Sequence, residues 1–265
     1  MEWTDDVAAG AWLASRLSDS TNPMRWVVPS GFALYAKVLH PASHWMQDAE
    51  QPVTWAEAAE AFGTSLEADS TWPSLVHAEA DPHGGQHVVA PDGREFHGPP
   101  EGRLDAEPLA ALVRALLPFT TTPDAGYAAV WEGWGGLLPQ ADGSSGAAEF
   151  GWDEHGSFSR PVPAALSMRE TNGPRLRLPH RDHVLFRCGL AEFADADWLS
   201  RMPWYRAGVL SGDYSPSLIW PNDQAWVIVT EIDFDYTVVG GTFEAIRAVC
   251  AASGVEAFPF LPFVG

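Results

Sequence analysis

Glu231, Asp233 and Asp235 alternate with Ile232 and Phe234 near the C-terminal end of a 265-residue chain. On an extended strand this alternation puts three carboxylates on one face and two apolar side chains on the other. Carboxylates so close repel one another. They suit a divalent cation, a cluster of arginines, or an acid/base pair whose pKa values are split by proximity. A solvated strand edge that deters aggregation has the same pattern.

Three other segments have chemical potential. In Pro179-His180-Arg181-Asp182-His183, His180, Asp182 and His183 are candidate metal ligands. Residues three apart point to opposite faces of a strand, so the histidines converge only at a turn, which Pro179 could start. A polar hairpin tip is the competing interpretation. Trp131-Glu132-Gly133-Trp134-Gly135-Gly136 places two indoles and a carboxylate among glycines. That composition suits a ligand shelf or a partner hot spot, or core tryptophans at a strand end. Val238-Val239-Gly240-Gly241-Thr242 leads into a helix start, but without the glycine spacing or lysine of a nucleotide-binding loop. There is no Gly-x-Ser-x-Gly elbow, and Cys188 and Cys250 lie in apolar stretches outside any nucleophile or zinc signature.

The charge balance narrows the partners. Thirty-five acidic residues against 15 basic ones give a net charge of -20, a field that repels phosphate backbones and anionic lipid and attracts basic proteins. Nucleic acid and membrane surfaces are therefore not expected partners. The same charge also serves solubility alone. Lys37 is the only lysine. The N-terminus has no basic region followed by an apolar stretch, and no apolar run reaches the ~20 residues of a membrane span. A cytoplasmic location is expected. At 46% hydrophobic and 19% charged residues, the composition is that of a packed globular protein.

The elements that would position these groups can be read in part. Ala8, Trp12, Leu13 and Leu17 predict a short helix, and residues 32–41 a strand stopped by Pro41. Thr54 and Glu57 form a capping box for a helix over 55–62, closed by Gly63. Residues 64–103 read as irregular, with a hairpin around Pro91-Asp92-Gly93, and Asp105 caps a helix to about Leu117. Strands are expected at 126–134, 175–178, 184–186, 218–220, 225–232 and 255–260. Helices are expected near 191–199 and from Thr242 to Ala252, the latter with Phe243, Ile246, Ala248 and Val249 on its apolar face. Short strands mixed with helices in no βαβ rhythm predict an α+β fold, a mostly antiparallel mixed sheet with flanking helices. The expected organisation is a single domain over 1–265 with a flexible internal loop near 139–173.

Segments 30–41, 130–135, 178–183 and 220–241, from Trp220-Pro221-Asn222-Asp223 through Glu231-Ile232-Asp233-Phe234-Asp235 to Gly240-Gly241, resemble a group of uncharacterised actinobacterial proteins of similar length. The resemblance implies a bacterial protein folding as one unit. It carries over no catalytic residues and no cofactor.

Two functions follow from the residues. One is a non-enzymatic acidic binding protein, an inhibitor or immunity-type partner of a basic protein, contacting it through Glu231, Asp233, Asp235, Trp131, Glu132 and Trp134. The other is a hydrolase or related enzyme, with Glu231 or Asp233 as general base and His180 or His183 as acid or metal ligand. The enzyme requires these two segments to meet in one pocket.

Overall fold

A computed structural model describes the chain except residues 19, 47–48, 82, 140–144, 154–155, 207–213 and 264–265. The N-terminal half of the chain contributes strands β1 (Glu2–Trp3), β2 (Leu34–Leu39), β3 (Ala42–Met46), β4 (Ala49–Val53), β5 (His87–Val89), β6 (Glu95–His97) and β7 (Gly126–Trp131). The C-terminal half adds β8 (Ala148–Asp153), β9 (Gly156–Pro161), β10 (Leu176–Leu178), β11 (Arg181–Cys188), β12 (Leu218–Pro221), β13 (Val227–Val229), β14 (Tyr236–Gly241) and β15 (Ala257–Phe260). The helices that matter for packing are α1 (Ala11–Arg16), α2 (Met24–Val27), α3 (Trp55–Phe62), α4 (Trp72–Leu75) and α5 (Ala106–Leu116). Two more follow, α6 (Met168–Thr171) and α7 (Phe243–Cys250).

The fold is α+β with antiparallel pairing. The large sheet runs β1-β11-β7-β12-β13-β14-β2-β15, with β10 also paired to β11, and β2 lies between two C-terminal strands. Its central strands are buried on both faces, which explains their near-continuous apolar runs. On one face Val130, Val184, Phe186, Ile219, Ile228 and Val239 pack under α5 and α7. On the other, Tyr127, Leu185, Leu218, Trp220 and Val229 pack under Leu13 and Val28 of the N-terminal segment. A smaller sheet, β4-β3-β6-β5, shares a second core with α3 and α4 around Trp55, Trp72 and Phe96.

Local chemistry sets several elements where expected. Thr54 Oγ1 accepts from the Glu57 amide while Glu57 returns a bond to the Thr54 amide, and Gly63 closes α3 at φ +70. Such a cap contributes about 1 kcal/mol. Other expectations need correction. The strand expected over 225–232 is confined to Val227–Val229. The helix near 191–199 is two 3-10 turns, Leu190–Phe193 and Ala196–Arg201. Phe243 is 61% exposed and so leaves the apolar face of α7. The expected loop over 139–173 contains the β8–β9 hairpin and α6, and Ser145 within it is buried with its hydroxyl donating to the Val162 carbonyl. Residues 140–144 and 154–155 of that loop lie outside the described residues.

Candidate functional site

Three elements meet at one end of the second sheet face. β10 and β11 are joined by a tight turn at Pro179-His180, where His180 takes a left-handed φ of +62. α2 brings Trp26, whose indole N–H donates to the Ser20 carbonyl at 2.7 Å. The third is a turn after β13, in which the Phe234 amide donates to the Glu231 carbonyl at 3.1 Å. Together they enclose a cleft of about 320 Å³ lined by Trp26, His180, Arg181, Glu231, Asp233 and Phe234. The rings of Trp26 and His180 pack with centroids 4.6 Å apart to form one wall.

Arg181 organises the floor. Its Nε and Nη2 donate to Glu231 Oε1 at 3.2 and 3.0 Å, and Nη2 donates to Asp233 Oδ2 at 2.8 Å. The guanidinium also lies over the Trp131 ring, 5.3 Å from its centroid. Gly133 makes room for that indole, since a Cβ there would sit 2.1 Å from the ring. One guanidinium between two carboxylates leaves the floor with a net negative charge when both are ionised. Burial raises the pKa of Glu231, with Arg181 acting against the rise. Asp233 is mostly exposed at the rim.

Below the cleft is a second, much smaller space of about 10 Å³, sharing Trp26, Arg181 and Glu231 with it and reaching His183 and Ser217. His183 is 4% exposed, and its Nδ1 is buried with no hydrogen-bond partner. Burial holds the imidazole pKa down to about 4, so the ring is neutral at pH 7.

The two segments that the enzyme hypothesis requires to meet do line one cleft, but through Arg181. The three carboxylates do not share a face. Residues 231–235 are a turn and not a continuing strand, so the alternation argument fails there. Gly102 pins this turn by donating its amide to the Phe234 carbonyl at 2.9 Å. Asp235 instead lines a different cleft of about 520 Å³, with Trp72, His83, Gln86 and Glu101. Burial raises its pKa, and Lys37 opposes the rise. Lys37 Nζ is held near the Trp55 and Tyr236 rings and donates to the Ser70 carbonyl at 3.0 Å.

The remaining candidates separate. Glu132 pairs with Arg175 at 2.8 Å, and Arg175 is itself bound to the carbonyls of Glu170, Thr171 and Gly173. Trp134 stacks on Tyr214 at 4.8 Å and meets Trp131 edge to face. As metal ligands His180, Asp182 and His183 do not converge, because His180 packs on Trp26, Asp182 faces Arg177 and His183 turns inward. Among the described residues no group of three or more His, Cys, Asp or Glu is placed to hold a metal ion.

The sequence reading missed Arg181, Trp26 and Ser217. Arg181 carried a usable signal: on a strand, positions two apart share a face, so the neighbour of His183 there is Arg181 and not His180. Trp26 and Ser217 gave none, because distant segments deliver them. Among the described residues no helix is long and apolar enough to cross a membrane. In comparisons with known proteins, the chain matches no family model, no curated protein and no solved structure.

Proposed function

We propose that the protein is an acidic binding protein whose Trp26–His180–Arg181–Glu231–Asp233 cleft receives a cationic side chain of a basic protein partner, as an inhibitor or immunity-type protein would. The observation that carries this is the floor of the cleft, where two carboxylates share one guanidinium beneath an aromatic wall. Tryptophan and carboxylates side by side suit a cation through both ring quadrupole and charge. The net charge of -20 steers a basic partner toward any such opening.

General acidity and a specific cleft are separable. Asp233→Lys and Glu60→Lys change the net charge equally, but Glu60 is an exposed residue of α3, in the other core. Association of a hexalysine peptide, followed by stopped flow across a salt series, is expected to slow roughly tenfold in Asp233→Lys with a flatter salt dependence. Glu60→Lys is expected to stay within about twofold of the unmodified protein. Equal rates in the two variants would remove the cleft as the binding surface and leave its Glu231–His183 neighbourhood to the enzyme alternative.

A further inference from the structure

The small space beneath the cleft has chemistry of its own. At about 10 Å³ it has room for one water-sized group. Its polar lining is His183, Ser217, Glu231 and Arg181, and its apolar walls include Val27, Leu178 and Leu218. A buried imidazole nitrogen without a partner is unfavourable, and a bound group that hydrogen-bonds His183 Nδ1 would relieve that cost.

We propose that this niche seats a primary ammonium on an alkyl chain, such as a lysine side chain, with His183 Nδ1, Ser217 Oγ and the Glu231 carboxylate as its three acceptors. The proposal rests on the cation-binding reading of the cleft above it and specifies the cation. An ammonium is about the size of a water molecule and has three donors and no acceptor. A guanidinium is planar, has five donors and is too broad for a space of about 10 Å³. The apolar walls match a methylene stem leading to the wider cleft, where Trp26 and His180 would cover it. Burial keeps the imidazole neutral at pH 7, and in the tautomer with its proton on Nε2, the ring donating toward the backbone of its own sheet, Nδ1 has a lone pair to offer. Ser217 Oγ accepts from the Trp131 amide at 3.3 Å and has a second lone pair.

The test uses the full chain and two small probes, n-butylammonium and n-butylguanidinium, at constant ionic strength. Trp fluorescence gives affinity, and the imidazole 15N shifts of His183 report on the niche without any mutation. The ammonium is expected to bind at least roughly tenfold tighter than the guanidinium, with a saturable shift at His183 Nδ1. Ser217→Ala and His183→Leu are expected to erase that preference while hexalysine association still depends on Asp233. A guanidinium that binds as well as the ammonium, or an ammonium that leaves His183 unmoved, overturns the niche assignment but leaves the cleft reading intact. If neither probe binds, the niche assignment fails, and if hexalysine association is also insensitive to Asp233→Lys, the cleft reading fails with it.

Discussion

Gly102→Ala is expected to destabilise the protein by about 3 kcal/mol and to pull Glu231 and Asp233 away from Arg181. Two effects combine. Gly102 sits at φ +74, where an L side chain costs about 1–2 kcal/mol. An added Cβ would also lie 2.6 Å from the Ile232 carbonyl oxygen and 2.8 Å from the Ile232 Cα, so backbone has to move. The backbone that moves is the carboxylate turn. Gly63 provides the internal control, at φ +70 with nothing within 4 Å of its Cβ position. Gly63→Ala is therefore expected to cost only the conformational strain, about 1–2 kcal/mol. Urea midpoints of the two variants check this. Equal losses would mean that the 231–234 turn yields freely and that Gly102 does not position the site.

Acid is expected to weaken the fold steeply between about pH 6.5 and pH 4. His40 is fully buried, with Nδ1 2.7 Å from the Pro100 carbonyl and Nε2 3.0 Å from the Thr237 hydroxyl. Burial lowers the pKa of both His40 and His183 to about 4 from an ordinary 6.5. A histidine with a depressed folded-state pKa takes up its proton more readily when unfolded. Its contribution to stability is thus complete above pH 6.5 and is lost as pH falls toward 4. Each group is worth on the order of 3 kcal/mol over that range. Glu231, Asp235 and Glu256 work in the opposite direction, because burial raises their pKa values and protonation at low pH relieves their cost. The two histidines are expected to outweigh this partial offset, so the expected net sign is loss. Urea unfolding from pH 7.5 to 4.5 should show the stability falling, and His40→Gln should flatten the fall. A flat profile in the unmodified protein would contradict the neutral, buried state of both rings.

Much of the architecture was legible where neighbours in sequence determine structure. Thr54 and Glu57 announce α3 because both halves of the capping box lie within one turn. Pro91-Asp92-Gly93 announces the β5–β6 hairpin for the same reason. The β3–β4 hairpin was not legible, since Ala49-Glu50-Gln51-Pro52 has little strand character and forms an edge strand held by its pairing with β3. The site was half legible. Glu231, Asp233 and His183 were singled out by type, and the turn at Pro179-His180 by its proline. Their arrangement was not, because alternation across 231–235 is overridden by a hydrogen bond from Gly102, far away in the chain. In the resulting turn Asp235 lines the neighbouring cleft while Glu231 and Asp233 stay with Arg181.

The most direct measurement is an amide and side-chain NMR titration of the full chain with hexalysine at near-physiological salt. Saturable shifts concentrated at the Trp26 indole, the Arg181 Nε–H and the 231–234 backbone are the predicted result. Shifts spread over the acidic surface, with none of these three standing out, would contradict the assignment of the cleft as the binding site.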